Sequence, residues 1–369
     1  MMGAMKSLFA TTARRLGPAG SAILVPGVLI VAMLLLALFA HNRPIVFMEK
    51  HADLNDSILY LRVADRVEAG VYYYDAAEQE LQKLGFERGS TFHWRTPLYA
   101  HLLGKLGRPV QRQIALALLS LATSILVGVA MWRLLGIFSG LWSGLTVFAS
   151  TAWWLYPESP CFTEVWAGLL ILLTILFRSM GWPRLGFFTG TLGLFLRELV
   201  LPFVVVCLGD AWLRRRWSEA IAWSLCLSAY SVYFLMHEAQ VASRQDPLLF
   251  YLPSSGPSWF EFGGVPFLLA TTRMNYCLSL LPMWCTSIYL PLAVFGLASL
   301  CQIDFSGRGM LVGFGGYLVA FLVVGKSFNY YWGWITAPTL SLGFAVSPFF
   351  LSQITRSPRR ATCSSAAGG

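Results

Sequence analysis

The stretch LGFFTGTLGLFLRELVLPFVVVCLGDAWLRRRW, residues 185–217, decides how this chain is folded. An Arg197-Glu198 pair interrupts its apolar run near the middle, and Pro202 follows shortly after. Charged side chains at that depth in a membrane protein face a polar cavity or the protein interior rather than lipid. Each arm of about 12 residues makes about 18 Å of helix, which is too short for a hydrocarbon core of about 30 Å. We therefore predict a re-entrant helical hairpin with Arg197 and Glu198 at its tip, and the alternative is a single span with an internal ion pair.

The basic turn Arg214-Arg215-Arg216 sets the orientation of this hairpin. Lysine and arginine accumulate in cytoplasmic loops, and a hairpin returns the turn to the side from which the chain entered. The first apolar run, 21–40, exceeds the roughly 7–15 residues of a signal-peptide core, so we predict an uncleaved span. Its basic leader, 6–15, stays in the cytoplasm. Residues 41–112 are then an outer loop.

The composition agrees with a membrane protein. Hydrophobic residues make up 56% of the 369 residues and charged residues 12%, whereas soluble domains carry roughly a quarter charged residues. The 27 Lys+Arg exceed the 18 Asp+Glu, but the basic residues cluster in short stretches between apolar runs. This pattern is typical of cytoplasmic loops and argues against a nucleic-acid partner. The 7 cysteines form no CxxC pair and are interpreted as small core residues rather than a metal site or disulfide framework.

The sequence predicts an all-α polytopic protein of the cell (inner) membrane, with a single transmembrane domain at 1–355. The full spans, about eight in number, are predicted near 21–40, 113–132, 134–156, 165–178, 218–236, 282–301, 310–325 and 334–352. A basic, disordered tail at 356–369 is predicted in the cytoplasm, as is the amino terminus. Segment 264–280 contains Arg273 and Asn275 in an otherwise apolar run. It is either an interfacial helix or a further crossing.

The outer loop opens with HADLNDSILYLRVADRVEAG, residues 51–70. At about 100° per residue, one helix face carries Asp53, Asp56, Tyr60, Val63, Ala64 and Val67, and the opposite face carries Asn55, Arg62, Asp65 and Arg66. Asp53 and Asp56 therefore point into the protein or a cleft, where a carboxylate can serve as a general base. The structural alternatives are helix capping by Asp53 and a favourable helix-dipole interaction for Asp56.

Two further segments complete this loop. Gly70 is predicted to end the first helix, and VYYYDAAEQELQKLGF, 71–86, predicts a second amphipathic helix. STFHWRTPLYAHLLG, 90–104, is rich in aromatic residues and contains His93 and Arg95. Such residues bind sugar rings or lipid phosphates, although tyrosine and tryptophan also anchor proteins at membrane interfaces.

These motifs resemble the C-type glycosyltransferase (GT-C) superfamily. The pattern D-x-x-x-Y-x-x-x-A, here Asp56, Tyr60 and Ala64, is followed by a glycine and tyrosines, as in those enzymes. Four later segments are also similar: the proline-containing RTPLYAHLL at 95–103, TEVWAGLLILL at 163–173 with Glu164, the hairpin at 192–217, and FNYYWGWITAPTLSLGFA at 328–345. The resemblance is greatest to bacterial polyprenyl-phosphate-mannose-dependent mannosyltransferases. Glu198 departs from the pattern, because the hairpin arginine of that family is usually followed by proline.

The resemblance implies a function and a set of site residues. It implies transfer of a sugar from a polyprenyl-phosphate donor to a glycan, lipid or protein acceptor on the extracytoplasmic face, with membrane lipids as surroundings. Asp56 would be the general base, with Asp53 the second catalytic candidate. The substrate-binding candidates are Tyr60, His93, Arg95, Glu164, Arg197, Glu198, Arg273 and Lys326. Positive charge must meet the leaving phosphate, and Arg197, Arg273 and Lys326 are the cations available, although Arg273 and Lys326 are also suited to snorkelling or ion pairing.

Other readings remain open at this stage. The sequence has no D-x-D pair, so no metal site is predicted, although a divalent cation is compatible with the acids at the outer helix ends. A transporter or flippase for a lipid-linked sugar or small solute would use Arg197-Glu198 as an ion relay. A non-catalytic relative of GT-C enzymes is the third reading, which the missing proline after Arg197 favours.

Overall fold

The structure is a computed structural model that describes residues 28–36, 52–85, 94–244, 262–303, 308–325 and 327–363. Over these residues the chain is helical and contains no β-strand, which confirms the predicted all-α class. The α-helices are α1 (28–36), α2 (Ala52–Glu68), α3 (Tyr73–Lys83), α4 (Pro97–Lys105), α5 (Pro109–Leu135), α6 (Ile137–Ser150), α7 (Thr163–Ser179), α8 (Pro183–Leu196), α9 (Leu201–Leu213), α10 (Trp217–Ala242), α11 (Gly264–Thr272), α12 (Tyr276–Ser279), α13 (Met283–Leu300), α14 (Arg308–Val323) and α15 (Ala337–Cys363). Short 3-10 helices occur at Ala152–Leu155, Ser159–Cys161, Glu198–Val200 and Ser327–Ile335.

The lengths of the helices support a multi-pass membrane protein. Among the described residues, 4 helices are long and apolar enough to cross a membrane: α5, α10, α13 and the Ala337–Ile354 part of α15. Each coincides with a predicted span. The spans predicted at 134–156 and 310–325 correspond to apolar helices that are shorter than these four, α6 with 14 residues and α14 with 16. The count of about eight full spans is therefore not confirmed, and four are supported.

Helix α7 lies at the centre of the bundle. Leu169, Ile171, Leu172 and other apolar side chains around its whole circumference are fully buried. A helix that is apolar on every side belongs in the interior, where the remaining helices shield it. Its charged residues lie at its two ends, Glu164 in the first turn and Arg178 in the last.

The chain reverses direction between α8 and α9, where the hairpin was predicted. Arg197 leaves the helical conformation (φ −148°, ψ 118°), and Pro202 is in the first turn of α9, a position where its missing N–H costs nothing. Arg178 Nη2 lies 2.8 Å from Asp210 Oδ2 at one end of α7, and Arg197 Nη2 lies 2.7 Å from Glu164 Oε1 at the other. Asp210 thus lies near the end of α7 where α8 begins, whereas Arg197 lies near the opposite end, so residues 185–210 are not one uninterrupted helix.

Segment 264–280 does not form one continuous helix long enough to cross a membrane. It divides into α11, which has 9 residues, and α12, which has 4. Nine residues make about 14 Å of helix, which is less than half of a hydrocarbon core of about 30 Å. Asn275 separates the two helices, and its side chain caps α12 by accepting a hydrogen bond from the Leu278 N–H at 3.3 Å.

Helix α2, in the loop predicted to lie outside the membrane, packs as its sequence predicts. In α2, Val63, Ala64 and Val67 are buried, whereas Arg62 and Asp65 are exposed. Gly70 follows α2 with φ +87°, a left-handed conformation that glycine adopts without strain. The exposed Asp65 still anchors this loop, because its Oδ1 accepts a hydrogen bond from Nη2 of the buried Arg112 on α5 at 2.7 Å.

Helices α13 and α15 cross where each carries a glycine, and their backbones come into close contact there. A substitution at the crossing tests this contact. A Cβ at Gly296 would collide with the carbonyl oxygen of Gly343, and a Cβ at Gly343 would collide with that of Ala293. Backbone atoms cannot move aside as a flexible side chain can. Gly296→Ala is therefore expected to lower the free energy of unfolding by about 1–3 kcal/mol. Thermal unfolding in detergent measures the change.

The matched control is Gly316→Ala on α14. A Cβ there meets nothing within 4 Å, so this variant should be as stable as the native chain or slightly more stable. Equal stability of the two variants would contradict the close crossing of α13 and α15.

Candidate active site

Arg95 sits in a strained turn just before α4. Its φ is +56°, which is uncommon for a residue with a side chain and persists only where surrounding contacts hold it. The Tyr73 hydroxyl donates to the carbonyls of Trp94 and Arg95. Thr96 Oγ1 donates to the Phe195 carbonyl at 3.3 Å, next to the tip of the α8–α9 hairpin. The turn is thus fixed from two sides, and Arg95 is directed towards the hairpin tip.

The guanidinium of Arg95 binds groups from four separate segments. Its Nε donates to the Tyr60 hydroxyl at 2.8 Å, and its carbon lies 5.3 Å from the centre of the Tyr60 ring. Its Nη1 lies 3.5 Å from Glu198 Oε1, and its Nη2 lies 3.9 Å from Glu164 Oε1. Tyr331 accepts a further hydrogen bond from Nη2 at 3.5 Å. Arg95 therefore links α2, α7, the hairpin tip and the segment before α15.

Arg95, Glu164, Arg197 and Glu198 form a cluster that we call the charged quartet. Arg197 contacts both acids, with Nη2 2.7 Å from Glu164 Oε1 and Nη1 2.5 Å from Glu198 Oε1. The Glu164 and Arg197 side chains are only 1% and 2% exposed, whereas those of Arg95 and Glu198 are 14% and 18% exposed. Buried ions are stable only when paired, and two positive and two negative charges balance here. Arg197 and Glu164 are the enclosed pair, and Arg95 and Glu198 are partly exposed.

Asp56 lies beside the quartet on the partly buried face of α2. Its carboxylate is half-buried and close enough to act electrostatically on Tyr60, Cys161 and Tyr331. Burial raises the pKa of the Tyr60 phenol well above its ordinary value; Arg95 lowers this pKa, and Asp56 raises it again. Tyr60 therefore keeps its proton at neutral pH. Asp56 is an acid at the edge of a preorganised polar site with partial access to solvent.

A small cavity lies beneath this cluster. Tyr60, Trp94, Arg95, Tyr99 and Thr163 are among its lining residues, and its volume is about 20 Å³. A single water needs at least about 10–15 Å³. The cavity can hold a water molecule but not a ligand the size of a sugar.

The structure brings together five of the residues selected from the sequence as substrate-binding candidates. These are Tyr60, Arg95, Glu164, Arg197 and Glu198, with Asp56 beside them. Asp53 lies in the first turn of α2, but its side chain is outside the described residues, as are His93 and Lys326. Arg273 is placed elsewhere, where its guanidinium donates to the carbonyls of Ser279 and Leu281 at 3.3 and 2.9 Å.

Tyr331 was not among the residues selected from the sequence, although it contacts Arg95 directly. It belongs to a group that we call the aromatic wall, composed of Trp153, Phe162, Tyr331 and Trp334. Ring centres are 5.4 Å apart for Trp153 and Trp334, and 5.7 Å apart for Phe162 and Tyr331. The only available signal was the aromatic run NYYWGW before the last helix, which is equally typical of an interface anchor.

Neither a group of metal ligands among the described residues nor a similar protein indicates what this site binds. Among the described residues, no group of 3 or more His, Cys, Asp or Glu side chains is arranged to hold a metal ion. No family model matches the chain, and neither a curated protein nor a solved structure matches it.

Proposed function

We propose that this protein is an inverting membrane glycosyltransferase that uses a polyprenyl-phosphate sugar as donor. One observation carries the proposal: a half-buried acid, Asp56, stands beside the charged quartet at one end of an apolar helical bundle. An acid and a partly exposed arginine in one site are the groups that sugar transfer from a phosphate requires. The acceptor is a hydroxyl of a glycan, lipid or protein.

In the proposed reaction the Asp56 carboxylate takes the proton of the acceptor hydroxyl. The acceptor oxygen forms a bond to the anomeric carbon as the bond from that carbon to the phosphate oxygen breaks. The electron pair of the broken bond stays on the departing polyprenyl phosphate, so no proton donor is needed for it. Attack from the side opposite the leaving group inverts the anomeric configuration.

Arg95 is the cation that we assign to the departing phosphate. Its side chain is 14% exposed, whereas that of Arg197 is 2% exposed and is held by Glu164 and Glu198. A guanidinium binds phosphate through parallel N–H donors. In this assignment Arg197 and Glu164 are positioning residues, because they fix Glu198 and Arg95 without meeting substrate.

The proposal includes a topology. Both termini are cytoplasmic, about eight spans surround a re-entrant α8–α9 hairpin, and the charged quartet faces the outside of the inner membrane. The distribution of arginine supports it, because Arg178, Arg214 and Arg216 gather at the end of the bundle opposite the quartet.

The two ends of α10 test this orientation. Ser218 and Ser243 are exposed serines at opposite ends of the helix, and cysteine nearly matches serine in size. In a chain whose native cysteines are replaced, Ser243→Cys should react with a membrane-impermeant maleimide in intact cells. Ser218→Cys should react only after permeabilisation. Reaction of both cysteines from the same side would contradict the proposed crossing of α10.

The activity is tested with the full chain reconstituted in vesicles. Radiolabelled polyprenyl-phosphate sugars and candidate acceptors are added, and labelled product is separated from donor. The proposal predicts a new glycosidic product with inverted anomeric configuration. Movement of intact labelled donor across the bilayer without any product would instead identify a flippase.

A further inference from the structure

A large apolar cavity lies away from the charged quartet, between α6, α12, α13 and α15. Its volume is about 510 Å³, within the range of about 300–1,000 Å³ that ligand pockets occupy. The residues at its mouth are Trp142, Leu145, Leu281, Trp284 and Ile288, which are all exposed on the side of the bundle. Helix α13 is long and apolar enough to cross a membrane. The cavity thus opens sideways, towards lipid rather than water.

The shape and chemistry of this cavity suit a hydrocarbon chain. Its α6 wall extends from Trp142 to Ser150, about 12 Å along the helix axis. At its floor, Asn275 Nδ2 donates to the Tyr289 hydroxyl at 3.1 Å and to Ser341 Oγ at 3.0 Å. These polar groups satisfy one another, so an apolar guest leaves no hydrogen bond unmade. A polar guest would have few groups to bind.

The positive charge of Arg273 lies beside the turn at Leu281, which forms one edge of the cavity mouth. Arg273 donates to the carbonyl of Leu281, a lining residue, at 2.9 Å, and to Met283 Sδ at 3.3 Å. A guanidinium in this place favours an anionic group where a bound chain would emerge. An apolar slot with a cation near its mouth matches an amphiphile with a phosphate headgroup.

We propose that this cavity binds an acyl chain of a bilayer phospholipid, with the headgroup phosphate beside Arg273. The occupant is a phospholipid rather than the polyprenyl donor, because the aromatic wall lies between Arg273 and the quartet. Trp153 Nε1 donates to the carbonyl of Met274, the neighbour of Arg273, at 2.7 Å, while Tyr331 contacts Arg95 on the other side. The site does not depend on the proposed transferase activity.

Photo-crosslinking tests this site. The full chain is reconstituted in phosphatidylcholine and phosphatidylglycerol vesicles in which the phosphatidylglycerol carries a diazirine in mid-chain. After irradiation, adducts are located by mass spectrometry of peptides. We expect several-fold more adducts on 142–150 and 281–288 than on the lipid-facing residues Leu225 and Val232 of α10, which are exposed and lie outside this cavity. Equal labelling of both surfaces would overturn the proposal.

A variant adds a second, independent result. Ala149 is an exposed lining residue, so Ala149→Trp should fill the cavity from its mouth without disturbing the core. Adduct yield at 281–288 should then fall to the level of the α10 surface, whereas Leu225→Trp should leave it unchanged. If Ala149→Trp does not fold, the adduct map of the native chain decides. Loss of adducts on addition of polyprenyl phosphate would overturn the proposal by assigning the cavity to the donor.

Discussion

Asp56→Asn is expected to lower the rate of sugar transfer by about 10²- to 10⁴-fold, the usual contribution of a general base. The amide cannot accept the proton of the acceptor hydroxyl, so the attacking oxygen must carry that proton into the transition state. Asparagine has almost the same shape as aspartate, and Asp56 is only half-buried, so folding should be retained. The transfer assay in vesicles measures the rate, and thermal unfolding in detergent measures the fold.

The control for this variant is Glu68→Gln on the same helix. Glu68 is an exposed acid at the end of α2, so its neutralisation changes the charge of the loop by the same amount without touching the site. Its transfer rate should stay close to that of the native chain. Unchanged transfer by Asp56→Asn would eliminate Asp56 as the base, and equal losses in both variants would attribute the effect to overall charge.

Arg197→Met is expected to lower the free energy of unfolding by about 3–5 kcal/mol, the usual cost of removing one partner from a buried ion pair. The Glu164 side chain, which is 1% exposed, would keep Arg95 at 3.9 Å as its cation in the quartet instead of Arg197 at 2.7 Å. An enclosed carboxylate with weakened pairing is costly in a low-dielectric interior. Thermal unfolding in detergent should show a large drop in the midpoint.

The double variant Glu164→Gln with Arg197→Met tests whether the loss of stability comes from the unpaired Glu164 carboxylate. It removes both members of the enclosed pair, so much of the lost stability should return. Arg244→Gln is the control at a more exposed site, because Arg244 pairs with Asp75 and Glu78, whose side chains are 50% and 33% exposed, and exposed pairs each contribute about 0–1 kcal/mol. A loss for Arg197→Met no larger than that for Arg244→Gln would contradict a buried, structurally important pair.

Local sequence rules predicted the elements well. The 3.6-residue period placed Val63, Ala64 and Val67 on the buried side of α2, and Gly70 marked its end. The Arg197-Glu198 pair in an apolar run predicted a break in the helix, because charges at that depth need a polar environment. These signals are local: they depend on residues within one or two turns of each other. Helix α6 was predicted too long because apolar composition alone does not show where a helix ends.

The sequence by itself determined the membrane class of the protein, most of its helices and the polar residues that stand in apolar surroundings. Only the tertiary structure decided their partners: Arg95 meets Glu198 and Tyr331, while Arg273 binds the turn beside a cavity instead. The physical reason is distance along the chain. An ion pair between residues about 100 positions apart depends on how helices pack, and packing leaves no local pattern in either segment.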